Sequence, residues 1–219
     1  ALLALLLLSL LPSGTAAQVS FDRLLRADEE PENWLTYSGS YKSQRHSQLD
    51  QITPVNVTDL ELRWVLQARS LEVFQATPLV VDGIMYLVEP TNTVVALDAK
   101  LGRVFWTYDY TPSRDARPCC GAVNRGLGIL DNTLFLATID ANLIALDATS
   151  GKPLWKTNVG DPAAGYALTL APLVIKDKVV VGIAGGEYGI RGFIAAYDAK
   201  TGEEAWKFYT IPGPGEPGH

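Results

Sequence analysis

The chain has 219 residues, 47% of them hydrophobic and 19% charged, with a formal net charge of -6. That composition suits a globular protein with one or two cores and excludes a disordered chain. The acidic balance and the lack of any basic run exclude a nucleic-acid surface, which needs clustered Lys and Arg.

Residues 1–17, ALLALLLLSLLPSGTAA, are an apolar stretch from Ala1 to Leu11, a Pro-Ser-Gly break and small residues up to Ala17. They read as a signal-peptide core and cleavage site, which predicts export to the periplasm. The run is short for a bilayer span of about 20 residues; an uncleaved anchor, with membrane association, is the alternative. No initiator Met or basic stretch precedes it, and PGPGEPGH at the other end has the composition of a loop. The sequence therefore reads as a fragment.

Residues 18–60 form a polar, turn-rich N-terminal arm, leading to an expected strand around Leu62 to Gln67. Asn56-Val57-Thr58 matches an N-glycosylation acceptor, but it reads better as a helix or turn start. Residues 61–219 then repeat. VVALDAKLGRVFW (Val94 to Trp106), LIALDATSGKPLW (Leu143 to Trp155) and FIAAYDAKTGEEAW (Phe193 to Trp206) each place Ala two before Asp, Gly four after it and Trp four after the Gly. Asp98, Asp147 and Asp198 are spaced 49 and 51 residues apart, a period that indicates propellers or arrays. Each period holds about four short β-branched or aromatic runs separated by Asp-Gly, Asp-Asn, Lys-Asp or Thr-Gly turns. The predicted fold is all-β, a β-propeller of four-stranded sheets. Asp and Gly build the turns, and Trp106, Trp155 and Trp206 are expected to pack between blades as structural residues.

Three islands interrupt the repeat: RPCCGAVNRG (Arg117 to Gly126), GYALTLAP (Gly165 to Pro172) and VVGIAGGEYGIRG (Val180 to Gly192). The first holds both cysteines of the chain, Cys119 and Cys120. A structural disulfide stabilises chiefly by closing a long loop, and neighbouring residues enclose almost none. Their Cα atoms, about 3.8 Å apart, also lie closer than the usual bridged range of about 4.4–6.8 Å, so a bond would make a stiff, strained ring of the kind kept at functional sites. Two reduced, buried small hydrophobes are the other reading. An exported, oxidising location tips the balance toward the bond.

These islands, with the arm and the ALDA-x-x-G-x-x-x-W repeats, resemble the large subunit of the quinoprotein alcohol dehydrogenases, the pyrroloquinoline quinone (PQQ) enzymes related to methanol and ethanol dehydrogenases. The resemblance implies an eight-bladed propeller, roughly twice the length present here, with only the first three to four blades in this chain. It implies that Cys119 and Cys120 form a disulfide lying against the quinone. Arg125 meets a cofactor carboxylate with its bidentate fork, Val123 and Asn124 line the pocket, and Thr169 bonds the cofactor. Ala184, Gly185 and Gly186 bring backbone close to PQQ, and Glu187 is a ligand of Ca²⁺, a hard cation. Two positions depart from the family. Gln75 stands where many relatives have Glu, and Ala184 where a common relative has Ser. Arg191 is left unassigned, with an inter-blade ion pair as one option.

By the same resemblance the activity is oxidation of a small alcohol with PQQ and Ca²⁺, electrons passing to a cytochrome c or another periplasmic or quinone-type acceptor. A lanthanide could replace Ca²⁺, which in the family depends on an extra Asp not seen here. A homo-oligomer or a small partner subunit is compatible. The catalytic Asp and an Asn metal ligand are expected beyond these residues, so the chain alone is expected to be inactive. The competing reading is a non-enzymatic exported β-propeller scaffold, which accounts for the repeats but not for Cys119, Cys120, Arg125 and Glu187 together.

Overall fold

The computed structural model describes residues 19–219; the expected signal segment lies outside them. Three four-stranded antiparallel sheets follow one another along the chain. The first is β1 (Leu79–Val81), β2 (Ile84–Glu89), β3 (Thr93–Asp98) and β4 (Val104–Tyr108). The second is β5 (Leu127–Leu130), β6 (Thr133–Ala137), β7 (Asn142–Asp147) and β8 (Pro153–Asn158). The third is β9 (Leu173–Ile175), β10 (Lys178–Gly182), β11 (Phe193–Asp198) and β12 (Glu204–Tyr209). Strand order is sequential in each sheet, which is the meander of a propeller blade.

The repeated residues explain themselves in this frame. Asp98, Asp147 and Asp198 each use one carboxylate oxygen to cap backbone amides in the turn after the third strand, as in Asp98 Oδ1 to Lys100 N and Leu101 N, both 2.9 Å. The Gly that closes the turn has φ of 69°, 69° and 72° at Gly102, Gly151 and Gly202, a region in which a side chain is strained. The Ala two before Asp lies across from the Trp: Ala96 faces Trp106, Ala145 faces Trp155 and Ala196 faces Trp206. A larger residue there would contest the space of the indole.

The same tryptophans tie one blade to the next. Trp106 Nε1 donates to Ala148 O and Trp155 Nε1 to Ala199 O, each at 3.1 Å, and each ring covers the turn glycine of the following blade. Trp64 repeats the pattern against Ala99 O, also at 3.1 Å, and Gly102. Residues 62–67 therefore sit where the outer strand of a preceding blade would, yet form no strand. The expected strand is missing because a β-strand needs a hydrogen-bonding neighbour, and none lies beside these residues among those described.

The arm runs across the first strands of the sheets. Val19 bridges Asp131, Trp34 bridges Val80, and Tyr41 Oη donates to Val174 O. Its α-helical turn, α1 (Phe21–Leu25), is capped by Ser20, whose Oγ accepts from Arg23 N at 3.2 Å. Asn56 is a turn former: Oδ1 accepts from Thr53 N at 2.7 Å and Nδ2 donates to Gln51 O at 2.8 Å. Arg191, left open by the sequence, is structural, since Nε donates to Ile211 O at 2.8 Å and the guanidinium covers the Tyr209 ring and pairs with Glu216. No helix among the described residues is long and apolar enough to cross a membrane.

Candidate functional site

In each meander the second-to-third-strand connection and the crossing to the next blade lie at the same end, opposite the Asp-Gly turns. All three sequence islands fall at that end. They enclose a cleft of about 120 Å³ whose lining includes Cys119, Cys120, Arg125, Thr169 and Glu187.

Cys119 and Cys120 are bonded to each other and exposed. The Glu187 carboxylate is exposed and approaches both sulfurs within 4.8 Å. A bonded disulfide carries no thiolate, so this trio offers a metal a single anionic donor, Glu187, and a hard cation would need further oxygens.

Arg125 and Thr169 are held together from adjacent blade crossings. The Arg125 amide donates to Thr169 O at 3.2 Å, and Nη1 donates to Thr169 O at 3.1 Å and to Thr169 Oγ1 at 2.9 Å. No carboxylate among the described residues pairs with Arg125. The guanidinium is thus aimed by its Nη1 while its remaining N–H groups keep their bonding capacity.

The third island is joined to the second by a backbone bridge, Ala167 N to Ala184 O at 3.0 Å and Ala184 N to Ala167 O at 2.9 Å. Gly185 has φ 123°, and a Cβ there would overlap Gly165 O. Gly165, with φ 99°, in turn makes room for Tyr188. These glycines let the two loops close on one another, which sets Glu187 beside the disulfide.

Among the residues singled out in the sequence, Val123, Ala184 and Gly185 also line the cleft. Asn124 does not. It is 2% exposed, its Nδ2 donates to Ala137 O at 2.7 Å, and its Oδ1 accepts from Gly126 N at 2.7 Å. Alternation along an extended segment turns Asn124 inward between Val123 and Arg125. Gln75 and Gly186 are exposed and do not line the cleft. Sequence reading missed Arg117, Gly165, Ala167 and Tyr188, which do. All four lie within the islands, and that membership is the signal that could have found them.

Residues 34–219 match the family described as PQQ: glucose/ethanol/alcohol dehydrogenase, beta-propeller domain. This chain belongs to that family. It is 42% identical over 206 residues to the quinohemoprotein alcohol dehydrogenase ADH-IIG of Pseudomonas putida, covering 93% of this chain and 29% of the relative. It is 40% identical over 200 residues to a lanthanide-dependent methanol dehydrogenase of Methylacidiphilum fumariolicum (strain SolV), covering 89% and 33%. The solved structure of ADHIIG from Pseudomonas putida HK5 superposes with a TM-score of 0.87 over 90% of this chain and 29% of that one, at 42% identity. A europium-containing methanol dehydrogenase superposes with a TM-score of 0.84 over 87% and 34%, at 40% identity. The chain thus spans about a third or less of the length of these relatives.

Proposed function

We propose that this chain forms one wall of the cofactor site of a periplasmic PQQ-dependent dehydrogenase that oxidises a small alcohol. The observation that carries the reading is the meeting of a vicinal disulfide, an aimed guanidinium, the Thr169 hydroxyl and an exposed carboxylate, from two blade crossings and one inter-strand loop, on a single cleft. A propeller scaffold without chemistry has no need of that convergence.

The donor set fits the cofactor. PQQ is planar and carries three carboxylates, so it calls for an apolar plate, fixed positive charge and directed donors. The disulfide is an uncharged, polarisable plate that keeps water from one face of a flat ligand. Arg125 offers its uncommitted N–H groups to a carboxylate, a charge-assisted contact. Because Thr169 Oγ1 accepts from Arg125 Nη1, its own hydroxyl proton is directed elsewhere and can be donated to the ligand. Glu187 would hold the cation, Ca²⁺ or a lanthanide, with the other oxygens of a six- to eight-fold shell coming from outside these residues. When bound, the quinone supplies the two-electron acceptor and the cation Lewis acidity. Electrons would leave to a cytochrome c or a quinone-type acceptor.

The test is reconstitution of the whole protein that carries this chain, with PQQ and either Ca²⁺ or a lanthanide, followed by alcohol-dependent dye reduction. Turnover that requires both additions is expected. A folded protein that neither binds PQQ nor turns over with either metal overturns the reading.

A further inference from the structure

Asp140 lies in the loop between β6 and β7 and is not part of the cleft lining, yet it is 3% exposed and charged. Its carboxylate collects three donors. Thr138 Oγ1 donates to Oδ1 at 2.6 Å, Ser113 N donates to Oδ2 at 3.0 Å, and Tyr110 Oη reaches both oxygens at 2.9 and 2.8 Å. Asn142 Nδ2 and Lys156 Nζ each donate to the Tyr110 hydroxyl at 3.3 Å, which leaves its proton for Asp140. Burial pushes the Asp140 carboxyl up, but the bonds from Thr138, the Ser113 amide and Tyr110 outweigh it and hold the group below its ordinary value, as is usual for a carboxylate with several donors.

Tyr110 and Ser113 belong to the segment that leads from β4 to Cys119. The end of β6 and the same loop also hold the stretches that carry Arg125 and Thr169. Ala137 O accepts from Asn124 Nδ2 at 2.7 Å, next to Arg125, and Thr138 O accepts from Leu168 N at 3.2 Å, next to Thr169. One loop of the second blade therefore fastens the three segments that present the disulfide, the guanidinium and the hydroxyl. Asp140 is the charged fastener for the segment that leads to the disulfide.

From this we propose that Asp140 is a positioning residue: its carboxylate fixes residues 110–118, and through them the Cys119–Cys120 plate, in the pose that receives a flat redox ligand. The inference rests on the cofactor reading above for the identity of the ligand, but the fastening itself does not. An amide at this position keeps the size and removes the charge, so it meets the Ser113 amide and the two hydroxyls with one acceptor fewer. Loss of the outer support of a metal ligand typically weakens the metal's binding or activity by about 10–100-fold, and a loss at the low end of that range is expected here.

The experiment compares Asp140→Asn, Tyr110→Phe and, as a control, Trp155→Phe, which removes an inter-blade bond at the opposite end, all in the whole protein without cofactor. Hydrogen–deuterium exchange of peptides covering 110–118 and of β7, together with PQQ affinity by fluorescence titration, are the readouts. Asp140→Asn should speed exchange in 110–118 with β7 unchanged and weaken PQQ binding about tenfold. Tyr110→Phe should do the same to a smaller extent and serves if Asp140→Asn does not fold. Trp155→Phe should leave both local quantities at the wild-type level. Unchanged exchange in 110–118, or faster exchange there with unchanged PQQ affinity, overturns the proposal. A wild-type protein that shows no PQQ binding overturns the cofactor reading instead, while the exchange result still decides whether Asp140 holds the loop.

Discussion

Gly185 and Gly186 are neighbours of equal size in the sequence, and the structure separates them. A Cβ at Gly185 would overlap Gly165 O at a φ of 123°, whereas a Cβ at Gly186 would meet nothing within 4 Å. Gly185→Ala should lower stability by about 1–3 kcal/mol through backbone strain, and Gly186→Ala should stay within about 0.5 kcal/mol, as read by urea denaturation. If both substitutions cost the same, the close approach of the two loops is not what constrains Gly185. At Arg125, a Lys keeps the charge but not the fork that spans Thr169 and the ligand. Arg125→Lys in the whole protein should weaken PQQ binding by at least about tenfold, in line with about 1.5–3 kcal/mol for hydrogen bonds to charged groups. Titration with unaltered affinity would remove Arg125 from the site. The residues at this scale were partly legible. Cys119, Arg125 and Glu187 stood out because their types and order are unusual, whereas Asn124 was misplaced because a run of adjacent motif residues does not say which of them turns inward.

Among the elements, the strands and turns were readable because each blade is built from local alternation and Asp-Gly turns. The structure adds what the Trp in each repeat does: it bonds and covers the next blade, so its role depends on having one. Trp155 is partly buried against Ala199 and Gly202, while Trp206 is 47% exposed. Trp155→Phe should therefore cost about 1–3 kcal/mol from a lost hydrogen bond and lost contact area, and Trp206→Phe should be near neutral in this chain. Thermal melting of the two variants side by side checks the contrast, and equal losses would contradict the inter-blade assignment. The same dependence explains residues 62–67. Their alternation is strand-like, but hydrogen-bonded pairing is a property of two segments, and no partner segment lies beside them among the described residues.

On the scale of the molecule, the arm is fixed to the first blade by a charged cluster. Arg23 bonds Glu30 and Asp82 at 2.6 Å each, and Asn33 Oδ1 accepts from Asp82 N at 2.8 Å. The Arg23 hydrogen bonds are the leading cause that holds the Glu30 and Asp82 carboxyls below their ordinary range. Folded values below unfolded ones mean that the contribution is complete above the ordinary carboxylate range of about 4 and is lost as pH falls through the lowered values. Acidification from neutral pH should thus loosen the arm, seen as faster protease cleavage between residues 19 and 43, and Arg23→Ala should flatten that pH dependence. An arm whose cleavage shows no such pH dependence would exclude the cluster as its anchor. The third blade shows the opposite condition. Leu173, Ile175, Ile194, Trp206 and Phe208 are exposed on one face, while Val174, Val179, Val181, Ala195 and Tyr197 are buried on the other against the second blade.

Sequence alone determined the four-stranded unit, its period near 50 residues and the unusual residue types gathered in the three islands, because turns, alternation and residue type are local properties of the chain. Tertiary structure decided which island residues share a cleft, that Asn124 and Asp140 serve the scaffold behind it, and that the Trp of one repeat belongs to the turn of the next. Those are relations between segments some 10 to 50 residues apart. They arise only when blades stack and buried polar groups must find partners across the interface.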